Sequence, residues 1–192
     1  MASTATLERL ITADEFAELP DDPDGRVREL LDGVVVTMSH AGEEHVLVAV
    51  NMRDALVPFV RRHQLGWVVS DAGFRIRQGP DRVVCPDLAI ADPSLLPPGR
   101  DRTKAMPIAP SLAVEVKSPT NTERDLVSKV AEYLAAGSQR VWVVRPRPQT
   151  VTVYRPDGSV RVFRIGETLT SEDAGFAVEG FTLPVTDVFA LE

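Results

Sequence analysis

Cysteine occurs once in this chain of 192 residues, at Cys85. That excludes an internal disulfide, and a single thiol cannot build a thiolate zinc site. Cys85 lies in an apolar run and reads as a small core residue rather than a nucleophile. No apolar stretch approaches the ~18 residues of a transmembrane helix, so no membrane partner is expected. The opening Met1-Ala2-Ser3-Thr4 has neither a basic start nor an apolar core, so no secretory signal is expected. Together these readings suit a cytoplasmic protein. A glycine-rich phosphate loop, a Ser-His-Asp grammar and a paired-histidine metal motif are all missing, as are repeats and low-complexity linkers. Lysine is scarce as well, with 3 lysines against 18 arginines. Where a generic positive charge suffices this chain uses arginine. The compact ammonium of lysine is a different tool, which draws notice to Lys104, Lys117 and Lys129.

Hydrophobic content of 44% and charged content of 26% are ordinary for a globular protein. The length suits one domain over residues 1–192 with a sizeable core. The net charge of −7 argues against a general nucleic-acid binder, but it is unevenly distributed. Residues 1–50 hold 3 basic and 11 acidic side chains, residues 51–164 hold 18 and 11, and residues 165–192 hold 0 and 6. The middle section is the basic one, as a phosphate-backbone partner would require, unless folding intermixes the three.

That section contains Val83 to Lys117, with two short apolar runs bounded by proline and charge. The first is Val83-Val84-Cys85-Pro86-Asp87-Leu88-Ala89-Ile90-Ala91, the second Leu112-Ala113-Val114-Glu115-Val116-Lys117. Both have strand composition. Side chains alternate along a strand, so Glu115 and Lys117 are expected on one face, about 6.6 Å apart. If the two runs pair, Asp87 joins them at one end of an otherwise oily sheet. Adjacent buried carboxylates repel unless a cation answers them. Mg²⁺ or Mn²⁺ does so with one or two carboxylates, waters and substrate phosphate. Asp87, Glu115 and the carbonyl of Val116 are candidate metal ligands, with Lys117 placed to orient a water or steady a phosphate. That is the outline of a metal-dependent phosphodiesterase. A solvated Glu-x-Lys strand face is the plainer alternative, against which stand the flanking Val114 and Val116.

Pro86-Asp87 followed by Glu115-Val116-Lys117 resembles the PD-(D/E)xK nuclease pattern. Four longer phrases are more specific: Glu29-Leu30-Leu31-Asp32-Gly33, Glu115 to Pro119, Lys129-Val130-Ala131-Glu132-Tyr133-Leu134-Ala135-Ala136-Gly137, and Val141-Trp142-Val143-Val144. Together they resemble the Uma-two family of restriction-endonuclease-like proteins, over about Thr12 to Phe189. The resemblance implies a restriction-endonuclease-like α/β fold, with a mixed central sheet flanked by helices, a divalent metal and a nucleic-acid substrate. It also implies that the working lysine comes from the strand or from the next helix, Lys117 or Lys129, and it gives His45 a role at the site. Read alone, His45 is a capping or surface histidine.

Along the chain, Thr12 caps a short helix to Leu19, with Glu15 completing a capping box. Arg26 to Met38 reads as a hairpin turning at Asp32-Gly33. Its Glu29 reads equally as an outer ligand or brace of the site and as a cross-strand surface charge. Glu43 to His63 is a long helix with Val46, Leu47, Val50, Leu56, Val57 and Val60 as its apolar stripe, kinked or shortened at Pro58. Strands follow at 66–70 and 73–77, then the run carrying Asp87. Asp92 to Pro110 is a long loop, either a backbone clamp or a plain connection. A second helix, Glu123 to Ala136, is ended by Gly137, and Leu126, Val130, Tyr133 and Leu134 form its stripe. The strand 140–145 and a hairpin at 150–165 complete the pattern, and the two terminal hairpins are expected to extend the sheet. The expected activity is metal-dependent endonucleolytic hydrolysis of DNA by a two-fold homodimer. The alternatives are a nuclease-like fold serving as a non-cleaving binding or regulatory module, and the same chemistry on RNA.

Overall fold

The computed structural model describes residues 9–119 and 121–190, so the expectation for Met1 to Thr4 lies outside the described residues. In chain order the elements are α1 (Ala13–Ala17), β1 (Arg28–Leu31), β2 (Val34–Thr37), α2 (Glu43–Arg62), β3 (Trp67–Val69), β4 (Phe74–Arg77), β5 (Arg82–Val84), β6 (Leu88–Ala91), β7 (Leu112–Val116), α3 (Glu123–Ala136), β8 (Arg140–Arg145), β9 (Thr150–Tyr154), β10 (Val160–Arg164), β11 (Thr168–Thr170), α4 (Ser171–Ala174), β12 (Thr182–Pro184) and α5 (Val185–Val188). The capping boxes at Thr12/Glu15 and Thr122/Asp125 start α1 and α3, and left-handed Gly137 stops α3.

The central sheet has six strands in the order β10-β9-β8-β7-β6-β3. Only β7 and β8 pair in parallel, because α3 carries the chain back across the sheet between them. The architecture is therefore the expected mixed sheet flanked by helices. The C-terminal hairpin β9–β10 extends that sheet. The N-terminal hairpin does not. It builds a second, four-stranded sheet, β2-β1-β5-β4. The cause lies in the 83–91 run, which is two strands rather than one. Pro86 has no N–H to give a ladder, so β5 ends at Val84 and the chain crosses into the central sheet as β6.

The two faces of the central sheet are packed differently. On one, α2 lays Val48, Met52, Leu56 and Val60 against Leu88, Ile90, Leu112, Val114 and Val116. On the other, α3 lays Leu126, Val130 and Tyr133 against Ala89, Ala113, Val141 and Val143. The buried row of α2 is thus Val48-Met52-Leu56-Val60, not the broader stripe read from sequence; Val46 and Val50 stay 46% and 43% exposed on the wall of a cleft. Pro58 does not shorten α2, which runs unbroken from Glu43 to Arg62. It sits on the exposed side of the helix, so the carbonyl it leaves without a donor is on the solvent face. Phe176, Phe181 and Leu183 of the tail join the α2 side of the core beside β11, β12, α4 and α5. The 92–110 loop is pinned rather than free, since Met106 exchanges backbone bonds of 2.8 Å with Gly73 and Arg75.

Candidate active site

Asp87 stands one residue before β6, and its Oδ2 accepts a 2.6 Å bond from the Val116 backbone N–H across the β6–β7 junction. That bond fixes the carboxylate beside Glu115, on the adjoining strand. Glu115 alternates with Val114 and Val116, so it points to the α3 face, where two residues one helical turn apart meet it. Tyr133 donates to Glu115 Oε1 at 2.8 Å. The Lys129 ammonium lies 3.3 Å from each Glu115 oxygen and 2.9 Å from Glu29 Oε1. Glu29, on β1, is 1% exposed and also accepts from the Cys85 backbone N–H at 2.9 Å. It is therefore a buried brace on Lys129, not a surface charge. From the first turn of α2, His45 Nε2 reaches Asp87 Oδ1 at 3.1 Å. A carboxylate only accepts, so that nitrogen carries the proton.

Lys117 is placed elsewhere, a correction to the strand-face expectation. β7 ends at Val116, so the two-residue period no longer governs the next long side chain. Its ammonium donates to the Asn121 carbonyl at 2.9 Å and lies 3.7 Å from Glu123, at the start of α3. It lines a separate cleft with Arg145 and Arg147. Of the sequence-derived candidates, Asp87, Glu115, Val116, Lys129, His45 and Glu29 converge, and Lys117 does not.

All but Glu29 of that group line one cleft of about 340 Å³. Asp71 joins them there, unanticipated from sequence. It sits in the β3–β4 turn with a left-handed φ of 51°, a position where aspartate reads as turn chemistry. Tyr133 was legible only as part of an apolar stripe; its hydroxyl role required the packing of α3.

The charges are unbalanced. Four carboxyl groups face one ammonium and one imidazole. Burial pushes Glu115 up to about 7, countered by Lys129 and reinforced by the charges of Asp87 and Glu29. Burial would lower Lys129, but the charges of Glu115 and Glu29 and the bond to Glu29 outweigh it and hold it above its ordinary value. One ammonium shared between two carboxylates leaves the surplus on Glu115. Burial, then repulsion by Asp87, raises Asp71. The bond to Asp87 raises His45 against the pull of burial. Burial keeps Tyr133 a donor, well above its usual range. It also takes the Cys85 thiol up to about 12, which excludes a ready thiolate.

Among the described residues no three His, Cys, Asp or Glu side chains are gathered tightly enough to hold a metal ion by themselves. Mg²⁺ and Mn²⁺ do not require that, since one or two carboxylates with a carbonyl and waters suffice. Hard oxygen donors on Asp87 and Glu115, a surplus of negative charge and a buried Glu29 Oε2 without a hydrogen-bond partner fit such a cation.

No curated protein matches this chain. Among solved structures it is similar to a "putative nuclease belonging to DUF820" from Anabaena variabilis, at 22% identity over 93% of this chain and 97% of that one, with a TM-score of 0.74. At that identity the likeness speaks for the fold. No helix among the described residues is long and apolar enough to cross a membrane. Residues 13–186 match the Uma2 family, described as "Putative restriction endonuclease"; that span holds every converging side chain, and the chain belongs to this family.

Proposed function

We propose that this protein is a divalent-metal-dependent endonuclease hydrolysing phosphodiester bonds in DNA. The observation that carries the reading is the meeting of Asp87, Glu115 and Lys129 at the floor of one cleft, with the two carboxylates on adjoining strands and the ammonium reaching in from α3. Asp87 and Glu115, with the Val116 carbonyl, would hold Mg²⁺ or Mn²⁺. Such an ion supplies charge neutralisation at the phosphoryl oxygens and an acidified water. Tyr133 fixes one Glu115 oxygen and His45 fixes one Asp87 oxygen, so each carboxylate keeps a defined orientation. Lys129, held by Glu29 and Glu115 on the wall of the cleft, would set its positive charge beside the attacking water or a phosphate oxygen. The reading takes Lys129 as the working lysine, supported by its place between Glu29 and Glu115, and leaves Lys117 outside the chemistry. The active form is a two-fold dimer.

The test uses highly purified protein and supercoiled DNA. Nicking with Mg²⁺ or Mn²⁺, arrested by chelator, is the expected result. Calorimetric binding of Mn²⁺ that is lost in Asp87→Asn and Glu115→Gln gives a readout independent of turnover. Equal activity with and without chelator overturns the metal requirement. DNA binding with no cleavage under either ion turns the reading to a non-cleaving module. Light scattering at the mass of a single chain overturns the dimer.

A further inference from the structure

Beside the candidate active site lies a second, larger groove of about 770 Å³, which none of the chemistry above uses. The two share Gly25, Arg26 and Asp71 in their walls, so one opens beside the other. The groove runs between α1 and the 100–106 segment of the long loop, with Trp67 on edge strand β3.

Its charge is distinctive. Arg26, Arg28, Arg100, Arg102 and Lys104 line it, against the carboxylates of Asp21, Asp22 and Asp71. Arg26 is held by Asp22 at 3.0 Å and Lys104 by Asp14 at 2.9 Å. The other three have no carboxylate partner among the described residues: Arg28 donates to the Pro20 carbonyl, Arg100 grazes the Asp101 carbonyl at 3.5 Å, and Arg102 makes no polar contact. The loop carrying two of them is tied down at Met106. Gly73 allows it to lie close, since a Cβ there would meet the Ala105 Cβ at 3.2 Å, and the two backbone bonds to Met106 clamp it.

The groove also has an aromatic face. Trp67 is 42% exposed and Leu19 36% exposed, large apolar surfaces that water does not favour. Interleaved guanidinium groups and an open indole suit a single nucleic-acid strand, whose phosphates meet the arginines while an unpaired base stacks on the ring. A duplex hides its base faces and has no use for the indole.

We infer that this groove is the track of one unpaired DNA strand, leading past Arg26 and Asp71 into the Asp87–Glu115–Lys129 site. The purpose of the track rests on the nuclease reading; its binding chemistry does not. The chain has two tryptophans, and Trp142 is fully buried, so a ligand-dependent change in emission reports Trp67. With chelator present, the protein is titrated with an oligothymidylate of about 12 nucleotides and with a duplex of equal length, following both tryptophan emission and the anisotropy of labelled DNA. The single strand should quench emission and bind about ten-fold more tightly than the duplex. Trp67→Ala should weaken it about ten-fold, and Trp67→Phe should retain most of the affinity. Joint replacement of Arg28, Arg100 and Arg102 by alanine should flatten the slope of log K against log salt by about 2. Trp67 and Arg102 are exposed and Arg28 and Arg100 half-buried, and unchanged thermal midpoints establish that the variants fold.

Saturation without quenching, or Trp67→Ala binding like the wild type, overturns the track. If the strand binds as described but no ion supports cleavage, the nuclease reading fails and the track stands. If DNA is cut with unchanged kcat/KM in the Trp67→Ala and triple-arginine variants, the track fails and the nuclease reading stands.

Discussion

The two faces of β7 are built from the same five residues and do opposite work. Leu112, Val114 and Val116 enter an apolar layer with the α2 row Val48-Met52-Leu56-Val60. Ala113 and Glu115 face α3, where the layer begins as oil at Leu126 and Val130 and ends in a carboxylate, an ammonium and a phenol. The first face is held by area and shape. The second is held at its end by a few directed bonds, each costly to break because water is excluded. A strand can thus carry a cluster of charged and polar side chains confined to the end of one face, with the other face wholly given to packing.

This contrast gives a graded series of tests. Lys129→Ala should be the most damaging change. It leaves Glu29 and Glu115 buried without their cation, a loss of about 3–5 kcal/mol in urea unfolding, together with all metal-dependent nicking. Val114→Ala, on the opposite face of the same strand, should cost about 2–3 kcal/mol from lost burial and a cavity, while single-turnover cleavage per folded molecule stays near wild type. Equal loss of cleavage in the two variants would end the claim that the faces are independent. Tyr133→Phe keeps the ring packing and removes only the donor to Glu115; about 1.5 kcal/mol is expected, with Mn²⁺ affinity reduced more than stability. Lys117→Ala should change stability by no more than about 0.5 kcal/mol and leave nicking intact. If Lys117→Ala is dead and Lys129→Ala is active, the assignment of the lysines is reversed.

The order of elements and the pairing of Asp87 with Glu115 were legible in the sequence because their causes are local. Strand composition around Asp87 and Glu115, the capping residue Thr12, the Asp32-Gly33 turn and Gly137 all act within a few residues. What escaped depended on partners far away in the chain. Nothing near Glu29 says that its hairpin leaves the central sheet; that follows from Pro86 forcing a crossing between sheets. Period-two alternation pointed to Lys117 but does not hold past the last paired residue. Lys129 looked like the edge of an apolar stripe, and only the depth at which α3 docks turns it into the ammonium between two acids. The apolar look of Val46 and Val50 was misleading for the same reason, since α2 turns them to a cleft wall rather than to the core.

The Lys129–Glu29 bond joins side chains 100 residues apart. A contact of that span forms late, after the entropy of closing a long loop has been overcome. While the chain emerges from the ribosome, Glu29, His45 and Asp87 are made early and have no ammonium to meet until α3 follows. The Lys129 ammonium therefore reaches Glu29 only once α3 has been made and docked.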